Sequence, residues 1–336
     1  MQIPPPKRWS WRSRAARGLL YQVLAVALIA LLVWFLAHNT ARNMAARGIQ
    51  SGFDFLLQTA GFDIGESLFA YDSEQPYWRA FLVGLTNTLR VAVIGIVLTT
   101  LLGTLVGVGR LSRNALVRGL CTAYVEFFRN VPVLLQLLMW YLLFTEILPA
   151  TENAWRMDIG WGSIYLSKGG LNFPVPAWSE GGWNWSVPTK GEFAIEHGGA
   201  LTPEFLALLL GLTIYTAAFV AEVVRAGIQS VPRGQTEAAA ALGLSRAQAL
   251  RLVTLPQALR VIIPPMTNQY LNLTKNSSLA VAIGYPDVVS IANTAINQAG
   301  RAVECIAIIM LVYLTTSLAT SLLMNWYNAR AAIKER

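Results

Sequence analysis

Charge is what this sequence lacks most: of its 336 residues, 13% are Asp, Glu, Lys or Arg, about half the roughly 25% of an ordinary soluble domain. So few charges would leave a chain of this length, 54% hydrophobic, short of polar cover in water, which disfavours a soluble globular domain. Cysteine is nearly absent. Cys121 and Cys305 both sit in apolar stretches, so neither a disulfide framework nor a thiolate metal site is available. The two histidines, His38 and His197, lie far apart with no ligand-like spacing, and no metal ligand is assigned. No G-x-x-x-x-G-K-[ST] phosphate loop occurs, so the chain has no recognisable nucleotide site and no bound cofactor is expected. Paired carboxylates and Ser-His arrangements are missing too, and no catalytic residue is assigned.

What the sequence has instead is long apolar runs. Crossing about 30 Å of hydrocarbon takes roughly 20 mainly apolar residues. The clearest candidates are 19–37, 82–108 and 302–324; less uniform ones are 133–148, approached from Leu120, then 205–228 and 261–283. The first run follows Lys7, Arg8, Arg12, Arg14 and Arg17 like a signal peptide. Its apolar stretch is longer than the usual 7 to 15 residues and lacks a small-x-small exit, so it is read as a retained anchor.

The net charge of +8 would suggest a nucleic-acid partner in a soluble protein, but in a membrane protein it encodes orientation. Arg110, Arg113 and Arg118 lie between spans two and three; Arg233, Arg246, Arg251 and Arg260 lie between spans four and five; Arg330, Lys334 and Arg336 close the chain. These segments and both termini are predicted to be cytoplasmic. The opposite loops are acidic: Asp54, Asp63, Glu66, Asp72 and Glu74 in one, and Glu152, Asp158, Glu180, Glu192, Glu196 and Glu204 in the other. The second of these, rich in Gly, Pro and Trp, has no span-length apolar run and is predicted to be an extracytoplasmic insertion. Its Trp155, Trp161, Trp178, Trp183 and Trp185 suit either anchoring at the membrane interface or contact with another protein.

Between spans four and five, local signals predict two short helices joined at a corner. Pro232 suits a helix approach, and Glu237-Ala238-Ala239-Ala240-Ala241-Leu242 is strong helix former. Gly243 is placed like a C′ residue, Ser245 with Gln248 makes a capping box, and Pro256 is expected to end the second helix.

Glu237-Ala238-Ala239, Gly243 and Val253-Thr254-Leu255-Pro256 resemble the EAA loop of permease subunits in ATP-binding-cassette (ABC) importers, departing from its pattern only in Val253 for Ile. The resemblance implies a coupling helix seated in a groove of a separate ATPase subunit, with Ala238 and Ala239 allowing close approach. Similarity continues over about 77–330. Gly84-Leu85-Thr86-Asn87-Thr88-Leu89, Tyr124 to Pro132 leading into Gln136, Ala221 to Ile228, and Lys275-Asn276-Ser277-Ser278-Leu279 are similar to the polar amino acid branch, of histidine, glutamine, glutamate and arginine type. The added anchor and insertion resemble permeases of general L-amino acid importers.

The resemblance implies an all-α polytopic fold of type I importer permeases, five core helices plus an anchor. On this division 1–18 is a basic arm, 19–38 the anchor, 39–80 a periplasmic segment, 81–330 the core and 331–336 a tail. Within the core, 150–202 is the periplasmic insertion and 229–260 the coupling loop. Implied partners are the ATPase subunits that bind ATP and Mg, a second permease subunit (a paralogue or a copy), a periplasmic binding protein and an amino acid. The setting is a bacterial inner membrane and the mechanism alternating access, with no nucleic acid involved.

Span five is crowded with polar groups: Thr267, Asn268, Gln269, Asn272, Thr274, Lys275, Asn276, Ser277 and Ser278. A mid-helix lysine costs about 2.5 to 3.5 kcal/mol even on insertion scales, so this helix must face protein or a polar cavity. Gln269, Asn272, Lys275 and Asn276 share one helical face, which makes Lys275 a candidate for holding a substrate carboxylate, or else structural glue between helices. Gln136, after the break at Asn130-Val131-Pro132, is a further candidate for the pathway. Pro264-Pro265 is expected to bend or break span five. Glu126 with Arg129 and Glu222 with Arg225 have i,i+3 spacing and suit a structural or gating role, while Arg90 is open between snorkelling and pairing. An ion- or proton-coupled secondary transporter would share the intramembrane polar groups but would not need the docking loop.

Overall fold

The computed structural model describes residues 14–331 except 49, 180, 181, 192 and 193. Lys7, Arg8, Arg12, Glu180, Glu192, Lys334 and Arg336 lie outside the described residues. Helix α1 (Arg14–Ala46) carries an apolar stretch none of which is buried by the other described residues, as suits a helix solvated by lipid. After a 3₁₀ turn whose Phe55 is buried against Tyr77 and Phe81, helix α2 (Tyr77–Gly109) begins the packed bundle with α5 (Pro203–Gln229) and α10 (Ala302–Ala331). Among the described residues, α1, α2, α5 and α10 are each long and apolar enough to cross a membrane, and two bent pairs bring the candidate spans to six.

The first bent pair is α3 (Ala115–Asn130) with α4 (Val133–Leu142), which continues as a π-helical turn to Ile147; the two meet at 103°. The break falls at Val131-Pro132, where the residue before a proline is pushed out of helical geometry. The second follows α8 (Leu255–Asn276), extended by 3₁₀ turns to Ile283, and bends by 48° into α9 (Val288–Ala299).

Span five corrects two expectations. The helix is not broken at Pro264 and Pro265: both prolines are exposed while Ile262, Ile263 and Met266 are buried on the other side, holding both halves in place. The break comes later, at Gly284 to Asp287. Pro256 ends no helix either. It stands in the first turn of α8, where an N–H is not required.

The 150–202 insertion is β structure. Strands β1 (Trp155–Asp158), β2 (Ser163–Ser167), β3 (Gly170–Phe173) and β8 (Gly199–Leu201) form an antiparallel sheet in the order β1-β2-β3-β8. Two hairpins, β4 (Val175–Ser179) with β5 (Gly182–Ser186) and β6 (Thr189–Lys190) with β7 (Ile195–Glu196), complete it. Its five tryptophans are all more than half exposed. Two pairs touch: Trp161 with Trp185 at 4.6 Å and Trp178 with Trp183 at 5.6 Å between ring centroids. Strand β8 runs straight into Thr202, whose hydroxyl accepts from the Phe205 N–H at 3.1 Å and caps α5.

Helices α2 and α5 are the central pair, and small residues set their spacing. A Cβ at Gly103 would lie 2.6 Å from Val220, and one at Gly107 would lie 2.7 Å from the Ala221 carbonyl and 2.9 Å from Val224. This is small-xxx-small packing, which replaces the hydrophobic drive that lipid removes. Gly227 plays the same part toward Ile262 of α8. Gly107→Val should therefore cost about 1 to 3 kcal/mol or more through overpacking and lower the thermal midpoint of the purified protein. Gly119→Ala, where a Cβ meets nothing within 4 Å, is the control; equal midpoints for the two variants would contradict the packing argument.

Candidate functional site

The 229–260 loop folds as its local signals predict. Helix α6 (Arg233–Ala241) is followed by Gly243 at φ 78°, and the corner closes as a Schellman motif: Leu244 N–H donates to Ala239 O at 3.1 Å and Gly243 N–H to Ala240 O at 2.9 Å. Helix α7 (Arg246–Ala249) opens on the Ser245–Gln248 capping box. A π-helical turn over Leu250–Thr254 then carries the chain into α8, with Leu255 N–H donating to Leu250 O. Gln257 Nε2 donates to Gln235 Oε1 at 3.4 Å and ties α6 to that junction. Loop and span five are thus one continuous unit.

Of the candidate coupling residues, Glu237, Ala238, Gly243 and Leu255 are exposed and Pro256 half-buried, while Ala239 turns inward and is buried. The small size of Ala239 serves contact within the loop. The structure adds exposed leucines that sequence reasoning missed: Leu242 at 83% exposure, with Leu250 and Leu252 also outward. Large apolar side chains on a loop full of arginine were the available signal.

Within the bundle, Asn272 and Lys275 are exposed on the surface of the single chain, and Gln269 and Asn276 half-exposed, so the shared face of α8 is open. Lys275 makes no ion pair among the described residues. Gln269 lines a cavity of about 490 Å³ between α3, α5 and α8, with Arg129, Phe219, Glu222 and Pro265. Gln136 lies elsewhere. It is buried, and its Nε2 donates to Phe128 O and Val131 O, both at 2.9 Å, across the 103° corner.

The two i,i+3 pairs behave differently. Glu222 is bound by Arg225 and, from α2, by Arg110. Glu126 does not pair with Arg129: it lies 3.9 Å from Arg110, while the Arg129 guanidinium sits 5.1 Å from the Phe219 ring centroid. A half-buried cation from the end of α2 takes the place of the local partner. Arg110, which the sequence marks only as a topology signal, is the hub.

At the end of the bundle opposite the loop, Arg90 pairs. It meets Glu66 at 2.5 Å and lies 4.2 Å from the Phe205 ring centroid. Thr202 donates its hydroxyl to the same carboxylate. Asn87 Nδ2 donates to Glu66 O at 2.8 Å and Pro286 O at 3.0 Å. The segment before α2, the exit of the β insertion and the break after α8 are thereby knotted together.

The family model for binding-protein-dependent transport system inner membrane components matches residues 99–333. The chain belongs to that family. It is 43% identical to the general L-amino acid transport system permease protein AapQ of Rhizobium johnstonii, over 98% of this chain and 96% of the relative. It is also 43% identical to the putative amino-acid ABC transporter permease protein YhdX of Escherichia coli, over 97% of each. Among solved structures, an amino acid ABC transporter with histidines shares 26% identity at a TM-score of 0.54, covering 76% of this chain and 95% of that one. An inward-facing MetNI methionine transporter, 18% identical at a TM-score of 0.52 over 76% of this chain and 97% of its own, shares the fold. This permease is therefore a multi-pass inner-membrane protein of the ABC importer type, and its EAA loop is the one expected of the family.

Burial pushes the Glu66 carboxyl above its ordinary range, with Thr202 and Arg90 pulling it back. The folded permease therefore holds this proton to higher pH than the unfolded chain. The stability linked to Glu66 is full below the ordinary value of about 4.3 and is lost as pH rises through the folded value. The difference in thermal midpoint between wild type and Glu66→Gln should shift against wild type as pH rises from about 4.3 toward neutral; a pH-independent difference would count against it.

Proposed function

We propose that this permease is the membrane-spanning subunit of an ATP-driven, binding-protein-dependent amino acid importer. It lines the pathway by alternating access and couples through its 229–260 loop to a separate ATPase that binds ATP and Mg. The observation that carries the reading is the junction of the loop with α8: the loop that exposes Leu242, Leu250, Leu252, Glu237 and Ala238 runs without a break, through one π-helical turn, into the membrane helix that bears the polar face. A docking event on the loop then acts on that face without an intervening flexible link. Amino acid as the cargo class is supported by the likeness to AapQ, a general L-amino acid permease, and to YhdX, a putative amino-acid permease.

The face of Gln269, Asn272, Lys275 and Asn276 is uncovered in one chain and too polar for lipid, so a second permease subunit, paralogue or copy, faces it across the pathway. Lys275 is the group on it suited to a substrate carboxylate, with Gln269 and Asn272 offering amides. Gln136 is reassigned to holding the α3–α4 corner. Glu222, Arg225, Glu126 and Arg129 belong to an ion-pair cluster at the loop-side end, suited to gating. By the positive-inside rule the loop and both termini are cytoplasmic, and a periplasmic binding protein delivers the cargo at the other end. The division into arm, anchor, core, insertion and tail is proposed with the boundaries expected from the sequence.

Two variants test separate halves of the proposal in proteoliposomes. Leu242→Asp together with Leu252→Asp should weaken co-purification of the ATPase at least tenfold, since burying one leucine side chain contributes about 1.5 to 3 kcal/mol. Undiminished co-purification would refute the docking role. Lys275→Met should abolish amino acid uptake while leaving the complex assembled; normal uptake would remove Lys275 from the substrate site.

A further inference from the structure

Behind the loop junction lies a cavity that the transport reading does not use. It has a volume of about 250 Å³ and lies between α2, α5, α8 and α10. Its walls are mostly apolar, with Val224 and Ile228 from α5, Ile262 and Met266 from α8 and Met324 from α10, while α2 contributes Thr100 and Thr104. The Tyr270 hydroxyl on its inner wall is bonded to Thr100 Oγ1 at 2.7 Å and needs no polar ligand. An apolar cavity of about 150 Å³ already stays dry and takes up benzene. This one is larger and is set in a membrane protein, where the abundant apolar solute is a lipid tail.

The mouth of the cavity carries charge close by. Its rim is formed by Val108 at the end of α2, Leu255 at the loop junction and Tyr327 near the end of α10, all exposed. A cation stands about one turn from two of these. Arg251 precedes Leu255 by four residues, and Arg330 follows Tyr327 by three; both are exposed. The Arg330 guanidinium lies 3.9 Å from the Trp326 ring centroid, an arrangement suited to the boundary between hydrocarbon and headgroups. Basic pockets between membrane helices bind anionic headgroups.

We propose that this cavity is a binding site for an anionic phospholipid of the leaflet on the loop side. One acyl chain fills the space between Val224, Ile262, Met266 and Met324, and the phosphate lies against Arg251 and Arg330. Because Leu255 forms part of the rim and Leu259 part of the lining, an occupying lipid braces the start of α8 where the loop enters the membrane.

The test uses the assembled transporter in vesicles containing phosphatidylglycerol or phosphatidylcholine with a photoactivatable diazirine near the end of one acyl chain. Labelled peptides are mapped by mass spectrometry. Phosphatidylglycerol should label the segments holding Ile262, Met266 and Met324 in addition to outward-facing positions such as Leu311 and Leu318, which are exposed and report the ordinary lipid annulus. Met324→Trp, which fills the cavity, should remove labelling of α8 and leave annular labelling intact. Arg251→Gln and Arg330→Gln should each lower the preference for phosphatidylglycerol over phosphatidylcholine by about fivefold. The wild-type mapping and the arginine variants stand by themselves if Met324→Trp fails to assemble. Labelling confined to the annulus in wild type, or α8 labelling unchanged by Met324→Trp, would overturn the site. Equal labelling by both lipids, unaltered by the arginine variants, would overturn the anionic assignment.

Discussion

The close approach of α2 to α5 is the contact on which the other arrangements rest. Gly103 and Gly107 leave no room for a side chain against Val220, Ala221 and Val224, so the two helices ride together at backbone distance. That approach delivers Arg110, three residues beyond Gly107, to Glu222, the neighbour of Ala221. Arg110 is 11% exposed and Glu222 28%, so the pair is partly shielded from water and attracts more strongly than one on an open surface. Arg225 and Glu126 join the same cluster, so α3 is held to the α2–α5 pair by charge as well as packing. Gly227 then extends the close contact to Ile262 of α8, and the polar helix is seated against the same scaffold.

What could be read from the sequence is what local physics determines. Gly243, Ser245 and Gln248 act within a turn of themselves, and the corner they predict is the corner that forms. The apolar runs likewise locate the candidate spans, because burying a backbone in lipid requires a helix of known length. Errors arise where a distant partner overrides a local preference. Glu126 has Arg129 one turn away, but Arg110 is close in space and itself needs acidic partners. Pro256 has the character of a helix stop, yet a π-helical turn before it shifts the hydrogen-bond register so that its missing N–H falls in the new helix's first turn. Pro264 and Pro265 lose two bonds on an outward face while buried side chains hold the helix together on the other. None of these compensations is visible from residue type alone.

The insertion shows a different limit. Its strands are two to five residues long, too short to yield a pattern that stands out from a loop, and they are stabilised by register: Trp178 opposite Trp183, Leu171 opposite Leu201. The return of β8 to β3 crosses the hairpins of residues 174–198, a pairing that no window of local sequence contains. Its consequence for the membrane part is direct. The last strand delivers Thr202 to both the cap of α5 and the Glu66 carboxylate, so a folded insertion is a condition for the charge clamp at that end.

Two clamps, one at each end of the α2–α5 pair, differ in how many helices they tie. The Glu66–Arg90 clamp ties α2 and α5 to the chain break before α9 through Asn87 and Pro286. The Arg110–Glu222 cluster ties α2, α5 and α3 but makes no ion pair with α8 among the described residues. Near the loop, helix α8 packs on α5 and α10 through Ala258, Ile262 and Met266, and Gln257 bonds it to Gln235 of α6. Apolar contacts are non-directional and tolerate small displacements that would break an ion pair. The loop is built onto that end of α8, so a push on the loop reaches the helix through its apolar packing against α5 and not through the Arg110–Glu222 ion pair.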